Sequence, residues 1–138
     1  MKIPPENWPG TYGHRLGHTF TISEPGHTVV EVELTDAHCN PAGVCHGGAL
    51  FTLADDAMGG AVHSLCPAGV VPTAVQSGVH YVRSVRPGER VRAEVHVLTH
   101  GKRTAMAEAR VTDSQGRLVA LLTGSFMFVE ARYREPGE

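Results

Sequence analysis

The stretch "CHGGALFTLADDAMGGAV", Cys45 to Val62, is the part of the chain whose reading decides the fold. Two glycines open it, "CPAGVVP" closes it, and the apolar residues between them recur at helical spacing, so a helix is expected from about Gly47 to Leu65. Turning about 100° per residue from Leu50 brings Leu53, Ala54, Ala57, Ala61 and Leu65 within about 60° of it, a stripe fit to face a core. The two acids fall on different sides. Asp55 lies near 140°, beside Phe51 and Val62, at the wet edge of the stripe, whereas Asp56 lies near 240°, between Thr52 and His63, as a solvated surface charge.

Outward from the helix the pattern changes to strands. On its N-terminal side "RLGHTFTIS" (15–23) and "TVVEVEL" (28–34) flank the turn "EPGH", and Pro41 and Gly43 keep "DAHCNPAGVC" a loop. On its C-terminal side come Thr73–Arg83, "VRAEVHVL" (91–98), Arg103–Thr112 and "LVALLTGSFMFV" (118–129), separated by "VRPGE", "HGK" and "DSQGR". The order β-β-α-β-β-β-β, with tight turns between successive strands, gives an antiparallel sheet. One long apolar helix must then cover one face of that sheet, which makes an α+β domain. A single domain is expected over residues 1–138, with its core at about 14–129, a Pro/Gly-rich arm before it and a polar tail after it.

Composition narrows the function classes. The 138 residues are 41% hydrophobic and 19% charged, the mixture of a globular protein. A net charge of -2 gives no electrostatic case for nucleic acid or an anionic membrane. No apolar run approaches the roughly 18 residues of a membrane span, and "MKIPPENWPG" lacks a secretory h-region. Three cysteines are not a disulfide framework, so reduced thiols and a cytoplasmic location are expected.

Two readings of Asp55 stand side by side. It is either a helix-edge carboxylate bonded to a neighbouring strand, or a general base or nucleophile whose pKa is raised by desolvation. Gly47 and Gly48 place bare N–H groups at a helix N-terminus, where backbone closely approaches a ligand and an oxyanion is stabilised. Asn40 and His46, in the same loop, add polar groups that can position a water or a carbonyl. Gly47 and Asp55 are about two helical turns apart, roughly 12 Å along the axis, so two antiparallel chains bring them to one carbonyl more readily than one chain does.

These residues carry a family resemblance. "NPAGVCHGGALFTLAD" (40–55) resembles the signature of hot-dog-fold acyl-CoA thioesterases, in the branch of phenylacetyl-CoA-pathway thioesterases and the acyl-CoA thioesterase 13 type. The pattern is an Asn, six residues to His-Gly-Gly, then an acid nine residues beyond the His, matched by Asn40, His46–Gly48 and Asp55. "YVRSVRPGE" (81–89) and "GKRT" (101–104) are similar to later strand motifs of the family, with Ser84 in place of a usual Pro. The resemblance implies a helix wrapped by an antiparallel sheet, a homo-oligomer with a dimer as its minimal unit and a tetramer expected, and active sites at the dimer interface. It implies that the Gly47 N–H polarises the thioester carbonyl with help from Asn40, that His46 shapes the loop, and that Asp55 comes from the partner chain. Arg83, Lys102 and Arg103, with Thr104 beside them, lie where relatives meet the CoA phosphates; plain surface charge is the alternative. Some relatives add a Ser or Thr that orients the water, and here Ala74 takes that place with Thr73 one residue off. His80 is placed toward the acyl pocket, and Gly48 beside the substrate.

The implied substrate is an aryl or medium-chain acyl-CoA. No cofactor beyond the substrate's CoA and no metal is expected, and neither nucleic acid nor membrane is an expected partner. Three rivals remain. His38, Cys39, Cys45 and His46 bracket one loop with potential zinc ligands, though their adjacent pairs do not match usual spacings. A hot-dog module that binds acyl-CoA without hydrolysing it keeps the fold but has no use for Asp55. Dehydration, another chemistry of the same fold, needs its His and Asp in a different arrangement.

Overall fold

The computed structural model describes residues 11–132, so the expected arm and tail lie largely outside the described residues. The chain runs through α1 (Tyr12–Arg15), β1 (Thr19–Glu24), β2 (His27–Glu33), a 3-10 turn (Asp36–His38), α2 (Gly47–His63), β3 (Val70–Tyr81), β4 (Arg90–His100), β5 (Thr104–Asp113) and β6 (Leu118–Glu130). The six strands form one antiparallel sheet in the order β1-β2-β4-β5-β6-β3. This is the expected α+β arrangement, one long helix on an antiparallel sheet.

The packing follows from small residues. Ala105, Ala107 and Ala109 alternate along β5 and are buried under the helix with Val30, Val32, Ala93 and Val95. Such short side chains let the sheet come close enough to wrap α2, so Met58 and Val62 are buried as well, and the apolar face is wider than the expected stripe. Gly124 is needed for that approach: a Cβ there would stand 3.2 Å from the Met58 sulfur. Inside this interface Thr28 donates its hydroxyl to the Ala57 carbonyl at 2.6 Å, which satisfies a buried polar group.

The N-terminal strand begins later than the sequence suggests. Residues 12–15 form a single helical turn rather than joining a strand, and Gly17, at φ 82°, reverses the chain before β1. That conformation suits glycine and strains other residues. At its far end α2 stops at His63, because the Ser64 hydroxyl donates to the Ala61 carbonyl and accepts the Gly26 N–H.

Candidate active site

The loop before α2 is built around its own side chains. Asn40 Oδ1 accepts the N–H groups of Ala42 and Val44, at 3.0 and 3.4 Å, closing a turn that Pro41 and Gly43 permit. With the oxygen so engaged, the Nδ2 amide is the part of Asn40 left to donate outward. The Cys39 and Cys45 backbones bridge, and the His46 N–H donates to the His38 carbonyl at 2.8 Å, so the loop returns on itself and delivers His46 to the start of the helix.

His46 is the N-cap of α2. Its Nδ1 accepts the Gly48 N–H at 2.8 Å. The two glycines therefore differ. The Gly48 N–H is engaged by the cap, whereas the Gly47 N–H donates to no group among the described residues. Gly47 is also the point of closest approach to β3. A Cβ there would stand 2.9 Å from the Tyr81 ring, and the Tyr81 hydroxyl donates to the Gly47 carbonyl at 2.9 Å. An open cleft of about 500 Å³ lies beside this helix end, with Tyr12, Leu16, His46, Gly48, Phe51 and Tyr81 among its walls.

Asp55 is half-buried at the edge of the apolar stripe. Burial, and then the neighbouring Asp56 charge, raise its pKa above the ordinary 3.8. Its carboxylate has no hydrogen bond or ion pair among the described residues, so the reading as a helix-edge carboxylate bonded to a strand finds no bond within the protomer. Asp56 is not the solvated charge expected. Its Oδ2 lies 2.6 Å from His18 Nδ1, and the His18 side chain is only 3% exposed. His38, one of the potential zinc ligands, is buried: its Nδ1 accepts the Thr35 N–H and its Nε2 donates to the Leu16 carbonyl at 2.7 Å.

The remaining candidates fall into two groups. Arg83 follows Tyr81 at the Gly47 end of the sheet. Thr73, Lys102, Arg103 and Thr104 lie at the other end, where Thr73 and Thr104 both pair with Met127, all of them exposed. At about 3.3 Å per residue, β3 separates Thr73 from Tyr81 by roughly 26 Å. One protomer does not bring these groups together. Nor does His80 face the cleft. It pairs with Leu121 and is exposed on the face away from the helix, while Tyr81, which the sequence reading passed over, is turned toward Gly47.

The zinc-loop arrangement is opposed by the same geometry. Both nitrogens of His38 are committed to backbone groups, and burial, with Cys39 adding, pushes the Cys45 thiol up to about 11.

Comparison with known proteins places the chain in a family. Residues 42–120 match the family model of the thioesterase superfamily, and the chain belongs to that family. Within it, the chain is 30% identical over 109 residues to the Escherichia coli acyl-coenzyme A thioesterase PaaI, covering 79% of this chain and 76% of that protein. The structure of the E. coli PaaI protein, from the phenylacetic acid degradation operon, superposes with a TM-score of 0.81 at 28% identity over 86% of this chain and 84% of that one. A hypothetical thioesterase protein from Streptococcus pneumoniae, solved with coenzyme A, gives 0.78 at 26% identity over 85% and 89%. A relative from Archaeoglobus fulgidus is 34% identical over 100 residues, 72% of this chain, which spans 63% of that protein's length. The fold is thus the hot-dog fold of PaaI-like thioesterases, as the signature around His46 suggests. Among the described residues no helix is long and apolar enough to cross a membrane.

Proposed function

We propose that the protein is an acyl-CoA thioesterase, hydrolysing the thioester of an aryl or medium-chain acyl-CoA to the free acid and CoA. The observation that carries this reading is a pair of unsatisfied groups on one helix: the Gly47 N–H at its start and the half-buried Asp55 carboxylate along it. Each is suited to one half of an acyl transfer. The Gly47 N–H, at the positive end of the helix dipole, stabilises negative charge developing on the thioester oxygen, with the Asn40 amide as a second donor. Asp55 takes a proton from water as the water attacks the carbonyl carbon, or attacks that carbon itself. The tetrahedral intermediate then collapses, the C–S bond breaks, and CoA leaves as a thiolate that takes up a proton; where Asp55 itself attacks, the product is a mixed anhydride on Asp55, which water hydrolyses to the free acid.

The two groups belong to different chains in this proposal. β3 is a long sheet edge of 12 residues, with Val75 63% and Tyr81 52% exposed. A bare edge of that length is a template for pairing with another strand. Antiparallel pairing of β3 with β3 of a second copy brings Gly47 and Tyr81 of one protomer beside Thr73, Lys102 and Arg103 of the other. That arrangement gathers the groups that one protomer keeps apart, and it puts basic residues near the CoA phosphates. The dimer is the minimal working unit. The resemblance of residues 40–55 to the signature of hot-dog thioesterases implies the same arrangement.

The test is thiol release from a panel of aryl- and alkyl-CoA esters. Wild type should turn over at least one of them, and Asp55→Asn should lose about two orders of magnitude or more in turnover while remaining folded. Full activity in Asp55→Asn would overturn the assignment.

A further inference from the structure

Away from the cleft, on the opposite side of the sheet from α2, three metal-ligating side chains converge. His27 of β2 and His96 of β4 are direct cross-strand partners, and their rings stack with centroids 4.4 Å apart and planes within 8°. Glu94 lies two residues before His96 and so projects from the same face. Its Oε2 is 2.8 Å from His27 Nε2 and 4.0 Å from His96 Nε2, and the three ligand atoms all lie within 4.8 Å of one another.

We propose that His27, Glu94 and His96 form a binding site for one divalent transition-metal ion of the zinc, nickel or copper class. Two imidazole nitrogens and a carboxylate oxygen around a tetrahedral ion stand about 3.3 Å from one another, given metal–ligand bonds near 2.0–2.1 Å. The observed separations of 2.8 and 4.0 Å bracket that value, and the two imidazoles turn out of their parallel stack on binding so that both Nε2 lone pairs point at one ion. The outer contacts are also in place. Glu24 Oε2 lies 3.3 Å from His27 Nδ1, the carboxylate–histidine arrangement that orients a ligating imidazole. Arg92 Nη1 holds the other Glu94 oxygen, Oε1, at 3.4 Å, so that Oε2, which meets His27 Nε2 in the metal-free chain, is the oxygen that turns to the ion.

Charge and access fit a cation. Glu24, Glu31, Glu33, Glu94 and Glu108, the last opposite His96 in the β4–β5 register, outnumber Arg90, Arg92 and Arg110 on this face. The three ligand side chains are 23%, 33% and 62% exposed, so an ion enters from solvent and keeps one position for water. A single carboxylate with two imidazoles selects against magnesium and calcium, which prefer oxygen shells.

Zinc chloride titrated into the metal-free full-length chain near pH 8, where imidazole is largely neutral, tests the site by calorimetry. One zinc per chain is expected. His27→Ala and His96→Ala should each weaken binding about tenfold or more, Glu94→Gln should weaken it as well, and magnesium chloride should give no saturable signal. His100→Ala, at the exposed end of the same strand, and Cys39→Ser should bind as wild type does. In the unaltered chain, one equivalent of zinc should move the ring proton resonances of two histidines among the nine. Absence of a one-to-one event, binding that survives both histidine variants, or zinc reporting on the Cys39 loop would overturn the proposal.

Discussion

At the scale of single residues, Asp55 and Asp56 show how far rotation about one helix carries. The wheel sets them on different sides, and they do differ: Asp55 borders the core and is unpaired among the described residues, while Asp56 lies on the polar side. The wheel does not reveal that the polar side is covered by His18, 38 positions upstream, because no local pattern encodes a contact between segments that meet only in the folded chain. Two outcomes follow. Asp55 has a raised pKa, so the folded chain holds its proton more tightly than the unfolded chain does. The cost of keeping that carboxylate charged is fully present above the raised value and vanishes as pH falls through it toward the ordinary 3.8. Asp55→Asn should therefore melt at a higher temperature than wild type near pH 8, with the gap closing toward about pH 4. The acid limb of wild-type turnover should likewise lie above the ordinary carboxylate range. Asp56→Ala removes a short hydrogen bond to a nearly buried imidazole, and should lower stability by about 1 kcal/mol, a few degrees in Tm. Adding His18→Ala should cost less than the sum of the two single changes, a coupling read from a double-mutant cycle.

At the scale of elements, alternation located β2, β4 and β5 because one face of each is buried, and the turns at Gly88 and Gly116 fall where "VRPGE" and "DSQGR" suggest. What alternation could not show is a bulge. Between Ala74 and Gln76 the register of β3 against β6 shifts by one residue. Ala74 shares the helix-facing side with Phe126, and regular alternation from it would turn His80 inward. The extra residue, Val75, reverses the faces beyond it, so His80 pairs outward with Leu121 and Tyr81 reaches Gly47. That phase slip is not legible in the sequence, because β3 carries no buried residue whose apolar character would mark the inward face. His80→Ala should then change thioesterase kinetics less than about twofold. Tyr81→Ala, which removes a cleft wall and the bond to the Gly47 carbonyl, should lower kcat/KM about tenfold, roughly 1.4 kcal/mol of transition-state stabilisation. Initial rates on the best CoA ester of the panel measure both, and equal effects would put His80 back at the site.

At the scale of the whole molecule, the proposed mechanism has to bring groups held apart in one protomer to one carbonyl. The helix keeps Gly47 and Asp55 about 12 Å apart, and no side-chain rotation closes that distance. The exposed edge of β3 offers the other route, a two-fold pairing in which each site takes Asn40 and Gly47 from one chain and Asp55 from its partner. That geometry makes a prediction distinct from single-chain catalysis. Asn40→Ala and Asp55→Ala homodimers should each be nearly inactive, because every site lacks one group. Co-expressed with distinguishable tags and isolated as mixed dimers, they redistribute the lesions: one site carries both, the other carries none. About half of the wild-type activity per dimer should return in the mixed species, measured by thiol release. If each site were built within one chain, both sites of the mixed dimer would keep their lesion and no activity would return. Rescue near one half therefore assigns the loop and the acid to different protomers, and its absence confines the chemistry to one.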